Sequence, residues 1–138
     1  MPTSQSPRVL IIVGSESDRP RIEPAFGILE KANVPYEFVV SSAHRDPDKT
    51  MKLAREAAGR GVKVIIAGAG LSAALPGAVS SVTSLPVIGV PFAAGALNGL
   101  DALFAIAQLP SGVPVGTVGI DNAKNAANLA LRILALIP

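Results

Sequence analysis

Residues 8–18 read RVLIIVGSESD, an apolar, β-branched run followed at once by a Gly/Ser/Asp turn. The unbroken apolar run Arg8–Val13 predicts a strand that is buried on both faces, because a strand with one wet face would alternate apolar and polar residues. Gly14–Asp18 predicts a turn, and a helical pattern runs from about Pro20 to Ala32. A buried strand, a turn and an amphipathic helix are typical of the first unit of a parallel α/β fold.

The same unit recurs to the end of the chain. Further strands are predicted at Tyr36–Val40, Val64–Ala67, Pro86–Val90 and Val115–Val118, with a turn at Gly68–Leu71. Helices are predicted over about 47–60, 72–81, 98–108 and 122–136. Regular alternation implies parallel strands and right-handed crossovers. We predict a flavodoxin-like three-layer α/β/α sandwich with a five-stranded parallel sheet, as one domain over residues 8–138, after a disordered or extended tail at residues 1–7.

Composition argues against several classes of protein. Hydrophobic residues make up 49% and charged residues 16%, a balance that excludes intrinsic disorder. The net charge of +2, the lack of a Lys/Arg run and the absence of Trp argue against nucleic acid as a partner. Without Cys there is no disulfide framework or thiolate metal site, and one His with scattered carboxylates makes no metal-ligand spacing.

Charge is distributed unevenly along the chain. Eighteen of the 22 charged residues lie in residues 1–63, and none lies between Val64 and Leu100. Gly and Pro residues interrupt that stretch, so no piece reaches the roughly 20 apolar residues of a membrane span. The polar N-terminus has no apolar core of a signal peptide, so we expect a cytoplasmic protein. The uncharged half predicts burial against other subunits, hence a homo-oligomer.

In an open parallel sheet, ligands bind beyond the carboxyl ends of the strands, so the loops after the strands are the candidate site. In the first loop, Ser15 and Ser17 offer hydroxyl and backbone N–H groups at a helix N-terminus, where anions are attracted. Asp18 can accept hydrogen bonds from sugar hydroxyls. The same residues also suit a plain helix cap, an alternative that the loop by itself leaves open.

The second loop, after Tyr36–Val40, holds the only His of the chain. An imidazole changes charge near neutral pH, so His44 can both give and take a proton. Its neighbour Arg45 is a permanent cation suited to phosphate, and Ser42 lies beside them. An ordinary surface His is the alternative. A Ser-His-Asp triad lacks the G-x-S-x-G elbow.

The third loop, GAGLSAALPG at 68–77, is rich in small residues. It can form a backbone surface over a flat ring, or it can serve tight packing of a helix on a strand. Small residues alone do not decide between the two.

Five segments together resemble one known family. They are GSESD at 14–18, SSAHRDPDK at 41–49, VIIAGAG at 64–70, ALPGAVSSVTSLPVIGVP at 74–91 and LPSGVPVGTVGI at 109–120. In order and spacing they are similar to the N5-carboxyaminoimidazole ribonucleotide mutase family, whose members are also called phosphoribosylaminoimidazole carboxylase. The similarity covers nearly the whole chain, and the pairing of the first two segments is its most specific feature.

The resemblance implies a purine-pathway enzyme that is an octamer, with active sites at subunit boundaries and no metal or organic cofactor. It implies that a ribonucleotide carbamate loses CO2, and that the ring carbon of the resulting aminoimidazole then takes up the CO2. His44 matches the general acid/base, Ser15, Ser42 and Arg45 match residues near the phosphate, and Asp18 matches the ribose contact. The predicted substrate-binding residues are Ser15, Ser17, Asp18, Ser42, Ala43, Arg45, Gly70, Leu71, Ser72, Ala74 and Leu75.

The third loop departs from the pattern of the mutases. Ala74 stands where they carry a second His, and Ser72 is similar to the branch that carboxylates aminoimidazole ribonucleotide directly with CO2. Two alternatives therefore stand beside the mutase. One is that direct carboxylase, and the other is a nucleotide-binding homologue without catalysis.

Overall fold

The computed structural model describes residues 5–138. The centre of this part of the chain is a sheet of five parallel strands in the order β2-β1-β3-β4-β5. The strands are β1 (Val9–Val13), β2 (Tyr36–Val40), β3 (Val64–Gly70), β4 (Val87–Phe92) and β5 (Gly116–Thr117). This order, with helices on both faces, confirms the predicted flavodoxin-like α/β fold. Of the predicted N-terminal tail, residues 1–4 lie outside the described residues, and residues 5–7 form neither helix nor strand.

Six α-helices of the described chain surround the sheet. They are α1 (Arg19–Ile22), α2 (Pro24–Lys31), α3 (Pro47–Glu56), α4 (Leu75–Ser80), α5 (Leu100–Ala107) and α6 (Ala123–Leu134). Short 3-10 turns cover Glu16–Asp18 and Ala58–Arg60. No helix within residues 5–138 has the length and apolar character needed to cross a bilayer.

The side chains of β1 alternate between two separate hydrophobic cores. Val9, Ile11 and Val13 point to the face covered by α1, α2 and α6, and all three are fully buried. Leu10 and Ile12 point to the face covered by α3, α4 and α5 and are equally buried. Both faces of β1 are therefore buried, which is why its sequence lacks the alternation of a half-exposed strand.

Several predicted boundaries were wrong. The strand predicted at Pro86–Val90 runs over Val87–Phe92, and α3 ends at Glu56 rather than near residue 60. The helix predicted from Pro20 to Ala32 is divided at Glu23, because Pro24 has no N–H to donate to a helical carbonyl. The predicted turn at Gly68–Leu71 is displaced, since β3 continues to Gly70 and pairs there with Phe92. The helix expected from Ser72 begins at Leu75, because Leu71 and Ala73 have positive φ values of 54° and 28°.

The strand order places the candidate loops together. β1 lies between β2 and β3, and the chain crosses to opposite faces of the sheet on either side of it. The loops that leave β1 and β3 therefore diverge at the carboxyl edge and open a crevice between them. The loop that leaves β2 lies beside that crevice.

Candidate active site

A cavity of about 210 Å³ occupies the crevice at the carboxyl edge of the sheet. Three loops supply its walls, those that leave β1, β2 and β3. Its lining residues are Gly14, Ser15, Asp18, Ser42, Ala43, His44, Arg45, Ala69, Gly70, Leu71, Ser72, Ala73, Ala74 and Leu75. Of the predicted site residues, only Ser17 lies outside this lining.

The loop after β1 is organised by Ser15. Its hydroxyl caps the 3-10 turn by accepting a hydrogen bond from the Ser17 N–H at 3.3 Å, and the two serine hydroxyl oxygens lie 2.9 Å apart. The backbone N–H of Asp18 donates to the Ser15 carbonyl at 3.0 Å. The cap alternative from the sequence is thus present in the structure, and Ser15 caps the turn while it also lines the cavity.

Asp18 is the one acidic side chain among the described residues that line the cavity. Burial raises the pKa of the Asp18 carboxyl above its ordinary value. The positive charge of Arg21 and a hydrogen bond with the Ser15 backbone act against that rise. Desolvation is the larger effect, so the Asp18 carboxyl is protonated more readily in the folded chain than a free carboxyl is.

The loop after β2 is a tight turn that carries His44. It is closed by the Asp46 N–H, which donates to the Ser42 carbonyl, and by the Arg45 N–H, which donates to the Ser42 hydroxyl, both at 3.0 Å. Asp46 then caps α3 by accepting a hydrogen bond from the Lys49 N–H, and Pro47 occupies the first turn of α3. His44 and Arg45 are exposed at the rim of the cavity.

The loop after β3 forms the opposite wall and is held by steric fit. A Cβ built on Gly68 would lie 2.3 Å from the Phe92 ring, and one on Gly70 would lie 2.8 Å from the Ala94 Cβ. Only glycine allows β3 to approach the exit of β4 so closely. Beyond Gly70, the chain turns through the positive φ values of Leu71 and Ala73 into α4.

Sequence reasoning missed three residues of the lining: Gly14, Ala69 and Ala73. The sequence predicts Gly14 only as part of a turn. It also predicts a turn at Ala69, where the structure has strand β3. Their small side chains give no chemical signal, and their place follows only from their position between predicted site residues. Within residues 5–138, no three His, Asp or Glu side chains come together in a group that could hold a metal ion.

The fold and cavity define a flavodoxin-like α/β protein whose candidate site lies where the strand order reverses. An imidazole, a guanidinium, hydroxyls and one carboxyl line it. The chain belongs to the AIR carboxylase family, whose model matches residues 8–137. It is 58% identical over 133 residues to the N5-carboxyaminoimidazole ribonucleotide mutase of Pyrococcus horikoshii, covering 96% of this chain and 75% of that protein. It is 56% identical over 130 residues to the mutase of Thermotoga maritima, covering 94% and 76%.

Two further similarities bear on the fold and on the alternatives. The phosphoribosylaminoimidazole carboxylase of Schizosaccharomyces pombe is 54% identical over 131 residues, which are 95% of this chain but 24% of that protein. The crystal structure of Treponema denticola PurE matches with a TM-score of 0.81 at 30% identity, covering 96% of this chain and 82% of that one.

Proposed function

We propose that this protein is an N5-carboxyaminoimidazole ribonucleotide mutase of purine biosynthesis. It would convert that carbamate to 4-carboxy-5-aminoimidazole ribonucleotide. The observation that carries the proposal is that the only His of the chain lines one cavity together with Ser15, Asp18 and Arg45. Identities of 58% and 56% to two proteins named as this mutase, over nearly the whole chain, support the same reaction.

The two polar loops offer a place for the ribose phosphate. The guanidinium of Arg45 and the hydroxyls of Ser15 and Ser42 line the cavity and suit the oxygens of a phosphate. Asp18, half-buried beside them, suits a ribose hydroxyl. Binding these remote groups would hold the imidazole ring still while the chemistry takes place.

In the proposed reaction, His44 moves one proton. The imidazolium delivers it to the exocyclic nitrogen as the N–CO2 bond breaks, which leaves aminoimidazole ribonucleotide and CO2. Ring carbon C4 then attacks the CO2, and the proton on C4 passes to the imidazole. The carboxyl group has moved from nitrogen to carbon, and the proton count is unchanged, so the enzyme needs no outside acid or base.

The loop after β3 would cover the imidazole ring and the CO2. Gly70, Leu71, Ser72, Ala74 and Leu75 bring only one hydroxyl to this wall of the cavity. Such a wall suits a flat ring and an apolar gas. Because none of these residues is a histidine, this wall gives His44 no second imidazole. We therefore propose that His44 serves both proton transfers.

Direct carboxylation is the second candidate, because Ser72 lines the cavity as the sequence interpretation expects for that branch. The relatives named as mutases are matched over three quarters of their length, whereas the S. pombe carboxylase is matched over 24% of its length. The comparisons therefore favour the mutase over both the carboxylase and the non-catalytic homologue.

Turnover on two substrates separates these candidates. The purified protein is given the carbamate and, separately, aminoimidazole ribonucleotide with bicarbonate, and the absorbance of the carboxylated imidazole is followed. Turnover of the carbamate alone is expected. Turnover of only the second mixture would support the direct carboxylase, and ribonucleotide binding without turnover would support the non-catalytic homologue.

We also propose that the chain works as a homo-oligomer, an octamer by family resemblance. The rim of the cavity is open in one chain, and CO2 must be retained between the two steps, so a second copy would complete the enclosure. Apolar side chains offer the surface for it: Leu97, Leu100 and Phe104, before and along α5, are 58%, 50% and 60% exposed. Light scattering that shows only a 14.0 kDa monomer would contradict this.

A further inference from the structure

Beneath the turn that carries His44 lies a pair of buried hydroxyl groups. Ser41, at the end of β2, is 3% exposed, and Thr50, in α3, is 1% exposed. Ser41 Oγ and Thr50 Oγ1 lie 2.7 Å apart. Neither side chain lines the cavity.

The Thr50 hydroxyl reaches both ends of the turn. Its Oγ1 is 3.1 Å from the carbonyl oxygen of Ser42 and 3.1 Å from that of Asp46. Ser42, which itself lines the cavity, and Asp46 lie on either side of Ala43, His44 and Arg45, which also line it. One side chain therefore joins the start and the end of the segment that presents the imidazole.

The hydroxyl groups of Thr50 and Ser41 have different hydrogen-bond roles. Thr50 has one hydroxyl proton, which the equidistant carbonyls of Ser42 and Asp46 share, so the Ser41 hydroxyl is the donor to Thr50. Ser41 is itself fixed to the sheet, because its backbone N–H donates to the Val13 carbonyl at 2.8 Å. The chain of bonds thus runs from the end of β1 through Ser41 and Thr50 to the His44 turn.

A buried hydroxyl destabilises a fold unless it is hydrogen-bonded, and an apolar pair would fill this space as well. The bonds inside the turn already close it without Thr50. What Thr50 adds is a fixed placement of the turn relative to α3, whose Ala54 is buried in the core against the sheet.

We propose that Thr50, supported by Ser41, is a positioning residue that sets where the His44 imidazole lies over the cavity. The expected effect of Thr50 on kcat rests on the proposed function. Proton transfer is sensitive to small displacements of the acid/base group. The long side chain of Arg45 can still reach a phosphate after a small shift, so kcat should fall more than KM rises.

The test uses four variants of the full chain without a histidine tag. Thr50→Val removes the hydroxyl and keeps the shape, and the double variant Ser41→Ala with Thr50→Val leaves no hydroxyl unpaired. Thr50→Ser restores the hydroxyl. Ser80→Ala is the matched control: Ser80 is also buried, and its hydroxyl donates to the Pro114 carbonyl at 2.7 Å, away from the cavity.

Two readouts are taken from each folded variant. The first is kcat and KM on the carbamate. The second is the NMR signal of histidine labelled at Cε1, which belongs to His44 alone because the chain has one His. The second readout does not depend on turnover.

We expect kcat to fall about tenfold or more in Thr50→Val and in the double variant, with a shifted His44 signal. Thr50→Ser should return both to near wild type, and Ser80→Ala should change neither. A double variant with wild-type kcat and an unmoved His44 signal would overturn the inference. If the wild type turns over neither substrate, the proposed function fails, and the His44 signal alone then decides whether Thr50 places the imidazole.

Discussion

Of the three loops that form the cavity, those after β2 and β3 are held in place by different interactions. The turn from Ser41 to Asp46 is held by hydrogen bonds between hydroxyls, N–H groups and carbonyls, and it presents His44 and Arg45. In the segment from Gly68 to Ala74, close contact of glycines with the exit of β4 fixes the strand. Its turn has positive φ values and is closed by the Ala73 N–H, which donates to the Gly70 carbonyl at 3.0 Å.

Substitutions in the two loops should therefore have different effects. A wall held by hydrogen bonds can lose a side chain and keep its backbone path, so its substitutions should affect chemistry more than stability. A wall held by steric fit has no room for added atoms, so its substitutions should affect stability first. Substitutions at His44, Gly68 and Leu71 test that contrast, and one at Asp18 extends it to the loop after β1.

The largest effect is expected at the hydrogen-bonded wall. His44→Asn should lower kcat about 100- to 10,000-fold, because it removes a general acid/base. The side chain is exposed at the rim, so thermal unfolding, assembly and ribonucleotide binding should stay near wild type. Steady-state kinetics measures kcat, and calorimetry measures thermal unfolding and ribonucleotide binding. Retained turnover would remove His44 from the mechanism.

The next effect is expected at the steric wall. Gly68→Ala places a Cβ 2.3 Å from the fully buried Phe92 ring, which should lower the free energy of unfolding by about 1–3 kcal/mol. Gly27→Ala in α2 is the matched control, because nothing lies within 4 Å of its Cβ and the fold should gain about 0.5–1 kcal/mol. Urea unfolding of both variants measures the difference. Equal stability of the two would show that β3 and β4 can move apart.

A smaller effect is expected where the same wall turns. Leu71 has a φ of 54° and is 55% exposed, so Leu71→Gly should relieve left-handed strain and raise the free energy of unfolding by about 1 kcal/mol or less. Leu71→Ala keeps the strain and should show no gain. If the free energy of unfolding rises equally in both variants, loss of the leucine side chain is responsible rather than relief of backbone strain. KM for the carbamate should rise in both, since Leu71 lines the cavity.

The smallest effect concerns Asp18. Burial raises the pKa of this carboxyl in the folded chain, with Arg21 opposing, so its ionised form disfavours folding at pH 7. Below the ordinary value of 3.8 the group is neutral in both states and the penalty vanishes. Asp18→Asn should therefore raise Tm slightly at pH 7 and not at about pH 3. Calorimetry at the two pH values checks this, and a gain of equal size at both would exclude ionisation as its cause.

Much of the fold and the place of the site followed from local patterns. The run RVLIIV predicted a doubly buried strand, and regular alternation predicted a parallel sheet, both of which the structure confirms. The rule that ligands bind at carboxyl ends then directed attention to the loops of Ser15 and His44, which share one cavity. Their roles in turnover stay predictions.

The segment Gly68–Ala74 was predicted poorly for a physical reason. Glycines in sequence indicate a turn and a close backbone approach equally well. Phe92 and Ala94 lie more than 20 residues later in the chain. They occupy the space beside Gly68 and Gly70, so these glycines serve a close backbone approach.

Local sequence patterns were enough to predict the five strands, the loops at their carboxyl ends and a single available imidazole. These follow from periodicity and residue type, which act over a few neighbouring residues. The extension of β3 to Gly70 and the contact of Thr50 with Ser41 beneath the His44 turn could not be predicted in this way. Those features depend on close packing and hydrogen bonds between atoms that the chain brings together only when it is folded.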